Sequence, residues 1–366
     1  MNYDLQQHAK TPLKQLANRV WRTYSGGALI DRWKKDTKEI DGNTPEEWIM
    51  STVTARGNNR PEDEGLSMVE TAAGIKPLKA LIASNTELYL GKKIAQKYGT
   101  TGVLIKMLDS HERLTIQVHP DKEYAKTVLN SPFGKTESWY VLNTREIDGE
   151  KSVIYMGFKE GVTKAKWREL FLEQNIMGML NCLHKIEVKP GDAFMIYGGV
   201  PHAIGSGCFL MEVQEPTDYT MRVEKVTPTG LKISDDLIHQ GVGVEKMLEC
   251  FHYDCCTLEE ALEKWRVNPE INDVSGTHIL KSIFNVTHTN CFALKELTLN
   301  GEYTIEANGS FYVVVIYLGK GTLICEGVSY KFEQGDEFFL SAAVDKVVFK
   351  SEIESKLLLC YPPSVE

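Results

Sequence analysis

Four residues between Leu114 and Arg222 have the types and the order of a divalent-metal site. They are Gln117 and His119 in LTIQVHP (Leu114 to Pro120), Glu137 in GKTESW (Gly134 to Trp139) and His202 in PGDAFMIYGGVPHAIGSG (Pro190 to Gly207). One amide oxygen, two neutral imidazoles and one carboxylate suit zinc first, with manganese or iron(II) as further options. Ligation by nitrogen and oxygen without thiolate fits catalysis better than structural stapling. A single histidine on a strand is usually just a hydrogen-bonded core or surface residue. The four together, in these local sequences, point to about one zinc-like ion per chain.

The elements that must position these groups are strands and tight turns. Gln117 and His119 lie two apart, so on a strand they share a face with Thr115, while Ile116 and Val118 point into a packed layer. Glu137 follows a short helix in DKEYAKTVLN, opened by an acidic first turn. His202 follows Gly198-Gly199-Val200-Pro201, a stiff turn that returns its imidazole to the mouth of a barrel. PGDAFMIYGGVPH resembles the second motif of the cupin superfamily: a Gly-Asp turn, a strand, a glycine turn and a ligand histidine.

Elsewhere, GGALIDRW and EEWIMSTV between Val20 and Thr54 read as strands. LSMVETAAGIKPLKALIAS and ELYLGKKIAQKYG carry apolar residues three and four apart, predicting a helical insertion over 61–98. VTKAKWRELFLEQNIMGMLNCL (Val162 to Leu183) predicts one amphipathic helix starting near Thr163, and a short helix is expected over Val244 to Phe251. The C-terminal third is a series of short strands (FYVVVIYL, GTLICEG, VSYKF, DEFFL, DKVVFK, KLLLCYP) joined by turns such as Glu326-Gly327 and Gln334-Gly335-Asp336. The expected fold is mainly β with helical insertions. A cupin, or jelly-roll, β-barrel over 1–60 and 99–240 carries the metal and catalysis, and a second cupin-like β-barrel over 241–366 has no metal ligands.

The composition is that of an ordinary globular protein, with 366 residues, enough for more than one core. A net charge of −9 argues against non-specific binding to nucleic acid or acidic lipid. The N-terminus MNYDLQQHAK lacks the apolar core of a secretory signal. The most apolar run, Phe311 to Leu318, is far shorter than the ~20 residues of a membrane helix. Eight scattered cysteines without a CxxC pair suit a reduced, cytoplasmic protein, a monomer or a homodimer. Apparent matches to other chemistries fail. Gly134-Lys135-Thr136 lacks the phosphate-loop glycine because Leu129 stands there, and His111-Glu112 lacks its second zinc-protease histidine because Thr115 stands there. Gly205-Ser206-Gly207 lacks the strand–helix setting of a dinucleotide site.

LTIQVHPDKEYA, GKTESWYVL, GGVPHAIGSG and EVQEPTDYTMR resemble the signature segments of the type I mannose-6-phosphate isomerases, closest to their short bacterial branch. The similarity runs from about Val20 into the C-terminal β-region, although the family's opening IWGG is VWRTYSGG here. The resemblance implies a zinc-dependent aldose–ketose isomerase of carbohydrate metabolism that interconverts mannose 6-phosphate and fructose 6-phosphate. It carries the family's metal ligands to Gln117, His119, Glu137 and His202, its active-site arginine to Arg222, and its lysine beside the ligand glutamate to Lys135.

Such an isomerisation moves one proton between C1 and C2 and another between the two oxygens through an enediolate, so negative charge on oxygen must be stabilised. Arg222 suits that anion or the substrate's phosphate; its plain alternative is a salt bridge with Glu212 or Glu215. Lys135 suits phosphate pairing or proton transfer, and Thr115 a hydroxyl contact with the substrate. Asp218, four residues before Arg222, is expected to orient Arg222 or a ligand histidine. Two other functions compete: an isomerase or epimerase of another phosphorylated sugar, and a non-catalytic sugar-phosphate sensor that keeps the metal.

Overall fold

The computed structural model describes residues 8–57, 60–306 and 308–365. The first seven residues of the polar N-terminal segment therefore lie outside the described residues. The first barrel is two antiparallel sheets packed face to face. One has seven strands in the order Arg266–Val267, Ala193–Ile196, Glu137–Thr144, Cys208–Gln214, Leu104–Asp109, Glu46–Ile49, Arg19–Val20. The other has five, ordered Leu183–Glu187, Val153–Phe158, His202–Ile204, Gln117–Val118, Met221–Arg222. Trp139, Val141, Ile154, Met156, Phe194, Ile204 and Leu210 fill the space between them. On the five-stranded sheet's outer face Ile116, Val118 and Ala203 pack under helices that contribute Trp167, Phe171 and Met247. One face thus buries apolar side chains while the other is free to carry ligands.

The second barrel is built on a nine-stranded antiparallel sheet whose interior holds Leu297, Val314, Leu323, Phe349 and Leu357. Its hairpin Lys320–Cys325/Val328–Glu333 turns at Glu326 and Gly327, both with positive φ (49° and 76°), as a tight two-residue turn requires. DKVVFK and KLLLCYP form one strand, Lys346–Tyr361. It pairs with Ala293–Glu306 along most of its length and shifts register near Gly301. A shared core containing Trp33, Met107, Met211, Phe284, Val313 and Phe339 joins the barrels. Trp33 Nε1 donates to the Ile316 carbonyl at 3.1 Å, and the Tyr140 hydroxyl to Glu296 at 2.8 Å.

Three local expectations are corrected. GGALIDRW is the helix Ala28–Lys34, bounded by left-handed backbone at Gly27 and Lys35, which buries Leu29, Ile30 and Trp33 on one face. The segment 61–98 opens with a hairpin, Met68–Thr71 against Gly74–Pro77, before the helices Leu78–Ser84, Thr86–Leu90 and Lys92–Tyr98. Gly74, at φ 91°, and Pro77 keep that stretch from being helical. Val162 to Leu183 is two helices, Lys164–Glu173 and Ile176–Asn181. Thr163 caps the first, left-handed Gln174 ends it, and the Asn175 side chain caps the second.

The helices Val244–Glu249 and Leu258–Trp265 also pack on the first barrel, through Met247, Leu248, Ala261 and Trp265. The chain crosses to the second sheet after Arg266–Val267, while Leu13–Lys14 pairs with Phe338 and Phe339 at that sheet's edge.

Candidate metal centre and active site

Gln117, His119 and His202 come from the five-stranded sheet or its edge, and Glu137 from the facing one. Gln117 is the cross-strand partner of both His202 and Arg222. The turn before His202 is held against the His119 segment, where the Gly199 amide donates to the His119 carbonyl at 2.8 Å. A Cβ on Gly198 would stand 2.5 Å from the Asp121 backbone, so glycine is required for this approach.

His119 Nδ1 lies 2.9 Å from the Tyr219 carbonyl and His202 Nδ1 2.8 Å from that of Val200. Each Nδ1 must donate, which leaves each Nε2 with a lone pair aimed inward. Burial holds both imidazoles below their usual pKa, most strongly His119, which also feels the Lys135 ammonium. Yet His119 Nε2 is 3.1 Å and His202 Nε2 3.5 Å from the Glu137 carboxylate oxygens. Lone pairs facing a carboxylate at these distances repel unless a cation lies between them. His119 Nε2 and both Glu137 oxygens are buried without a hydrogen-bond partner, as metal-ligating atoms would be.

The three residues bring ligand atoms within 4.8 Å of one another, and among the described residues theirs is the one such His/Cys/Asp/Glu cluster. The Gln117 amide lies 3.3 Å from His202 Nε2, and rotating that amide turns its oxygen to the same point. The donor set fits a divalent ion with nitrogen and oxygen ligands.

Beside the centre is a small cavity of about 40 Å³ whose lining includes Gln117, Thr115, Lys135, Asp218 and Arg222. Lys135 is buried 3.7 Å from Glu137 and 3.4 Å from the Thr220 hydroxyl. Burial, then the nearby Lys106, lowers its pKa. Arg222 Nη1 donates to the carbonyls of Leu237 (2.8 Å) and Thr220 (3.3 Å), not to Glu212 or Glu215. Burial brings its pKa down to about 10, against the pull of Asp218. Asp218 does not bond to a ligand histidine: its carboxylate accepts the Arg56 amide at 2.7 Å and lies 3.6 Å from Arg22.

Residues not anticipated from the sequence complete the cavity: Arg22, Tyr24, Glu46, Lys106 and Glu212. Lys106 donates to Glu212 at 2.7 Å and lies 3.8 Å from Glu46, which in turn accepts from Arg22 at 2.8 Å, the Tyr24 hydroxyl at 2.8 Å and Trp48 Nε1 at 2.7 Å. Burial works against the Lys106 ammonium, but Glu212 and Glu46 outweigh it and raise its pKa. Burial and the charge of Glu137 raise that of Glu212.

Two β-barrels of the cupin kind, the first enclosing a His–Glu–His cluster suited to a metal at the foot of a charged cavity, define a cupin with a candidate metal centre. The profile described as phosphomannose isomerase type I, catalytic domain, matches residues 18–145, and that described as mannose-6-phosphate isomerase, cupin domain, matches residues 282–358. The chain belongs to the type I phosphomannose isomerase family.

The probable mannose-6-phosphate isomerase GmuF of Bacillus subtilis (strain 168) is 26% identical over 244 residues, 66% of this chain and 69% of that protein. The mannose-6-phosphate isomerase of Streptococcus mutans is 25% identical over 292 residues, 79% and 83% of the two chains. The crystal structure of the mannose 6-phosphate isomerase from Bacillus subtilis superposes with a TM-score of 0.75 at 22% identity, covering 96% of this chain and 99% of the other. A putative mannosephosphate isomerase from Archaeoglobus fulgidus gives 0.72 at 19% identity, covering 97% and 98%. At those identities the structural matches speak for the fold.

Proposed function

We propose that the protein interconverts mannose 6-phosphate and fructose 6-phosphate, with Gln117, His119, Glu137 and His202 holding zinc as the resident metal. The supporting observation is the buried Glu137 carboxylate, which faces two inward Nε2 atoms without a hydrogen-bond partner beneath a cavity lined by lysine and arginine. A divalent ion there would polarise the sugar carbonyl and stabilise the enediolate's oxygens.

The side chains supply the remainder. Lys135, fixed between Glu137 and Thr220, presents an ammonium at the metal end for a sugar oxygen that gains or loses a proton. Thr115 lines the cavity and offers a hydroxyl to the substrate. Arg222 turns a guanidinium with an unpartnered Nε into the cavity, suited to an anionic substrate. Asp218 holds Arg22 in place through its charge. The eight cysteines are all free thiols, consistent with a reducing cytoplasm.

A coupled assay of fructose 6-phosphate formation from mannose 6-phosphate, with and without chelator, tests this function. Turnover that disappears with chelator and returns with zinc is expected. Full metal occupancy without turnover would redirect the site to another phosphorylated sugar.

A further inference from the structure

Four cationic side chains line the cavity, and two of them are already engaged. Lys106 is held by Glu212, and Lys135 sits between Glu137 and Thr220. The other two are arginines with N–H groups to spare. The Arg22 side chain is 9% exposed. Its Nε donates to Glu46 at 2.8 Å, its Nη1 to the Trp21 carbonyl at 3.2 Å, and its guanidinium carbon lies 4.7 Å from the centre of the Trp48 ring. Nη2, on the remaining corner of the fork, is buried and has no acceptor. Arg222 Nε is in the same condition, its Nη1 being spent on backbone carbonyls.

Both guanidiniums line this one cavity. Apart from burial, Arg222 feels the charges of Asp218, Arg22, Glu46 and Tyr24, and that of Arg22 opposes its own. Lys135 and Gln117 line the same cavity, and Gln117 is the cross-strand partner of both His202 and Arg222. Two guanidiniums with unfilled donors on one cavity match the oxygens of a phosphate. Glu46, Asp218 and the Trp48 ring hold the Arg22 fork in advance, so little ordering remains to be done on binding.

We propose that Arg22, opposite Arg222, receives the phosphate of the phosphosugar and sets the preference for a phosphorylated over a free sugar. This assignment rests on the isomerase function above.

The test uses the metal-loaded full chain with Arg22→Gln and Arg22→Lys. Arg22→Gln is expected to raise KM for mannose 6-phosphate by roughly tenfold or more, with a smaller change in kcat and unaltered metal content, as loss of a charge-assisted contact predicts. Millimolar inorganic phosphate should raise the melting temperature of the unsubstituted chain and not that of Arg22→Gln. Arg22→Lys keeps the charge without the fork and should fall between them, and it carries the test should Arg22→Gln fail to fold. A KM within about twofold of the unsubstituted chain, with the phosphate-induced shift retained, would leave Arg22 a purely structural ion-pair partner and overturn the proposal. Should the unsubstituted chain not turn over mannose 6-phosphate, the isomerase function fails. The phosphate-induced shift still decides the role of Arg22: loss in the variants supports it and retention refutes it.

Discussion

Arg222 lies directly across the strand pair from Gln117. Because Gln117 is also paired with His202 on its other side, one three-strand register sets both the metal centre and the arginine. A slip of one residue would turn Gln117 to the opposite face and dismantle both at once. Arg222→Gln should lower kcat/KM by about 100-fold, since it removes an oriented charge from the cavity, while metal content stays at one ion per chain. Arg222→Lys should recover part of the loss. Steady-state kinetics beside elemental analysis would separate the two effects, and a variant that also lost its metal would contradict this division of labour.

His119→Ala and His202→Ala should each lose bound metal and reduce turnover by more than about 100-fold, because each removes an inward Nε2 that nothing else replaces. Retention of a full equivalent of zinc by both variants would sink the site.

Gly198→Ala should damage the centre without touching a ligand. Its Cβ would stand 2.5 Å from the Asp121 Cα and backbone nitrogen, and neither side can yield without moving the turn that carries His202. A destabilisation of roughly 1–3 kcal/mol and weaker metal retention are expected. Calorimetry and dialysis against a mild chelator would show both, and a fully stable variant with normal metal affinity would disprove the tightness of this approach.

Acid should weaken the first barrel through Glu46. Burial disfavours its carboxylate, but Arg22 and Lys106, with the Trp48 indole, outweigh that and hold its pKa well below the usual 4.5. A folded pKa below the unfolded one gives stability that is complete above pH about 4.5 and is lost as pH falls further. Melting temperatures between pH 7 and 3 should fall steeply for the native chain and less steeply for Glu46→Gln. At pH 7 that variant should itself be destabilised by roughly 3–5 kcal/mol, since it leaves Arg22 buried without its partner. Parallel pH profiles for the two proteins would rule out this contribution.

That Gln117, His119, Glu137 and His202 would meet is legible because each stands in a short segment whose turn and strand period decide where it points. Gln117 and His119 follow from alternation and His202 from its glycine turn. Arg22, Glu46, Lys106 and Glu212 escaped because they meet only after the strands Arg19–Val20, Glu46–Ile49, Leu104–Asp109 and Cys208–Gln214 lie side by side, and no local period encodes that pairing. A signal was nevertheless present: Lys106 between Ile105 and Met107, and Glu212 between Met211 and Val213, are charges inside apolar strands, where an unpaired ion is costly. GGALIDRW was misjudged for a different reason. Over so few residues Leu29, Ile30 and Trp33 satisfy a strand and a helix equally, and the packing against the second barrel chooses the helix.

Glu137 belongs to one sheet of the first barrel, while Gln117 and His202 belong to the other. An ion gripped by all of them is a rivet through the sandwich. It can close only once both sheets have come together, so metal uptake during refolding should report the final docking of the layers rather than the formation of either one. The same rivet would tie the barrel's resistance to heat and proteases to the concentration of free metal, rising with the logarithm of that concentration once it exceeds the dissociation constant. A cell short of the ion would hold a looser protein as well as an idle one.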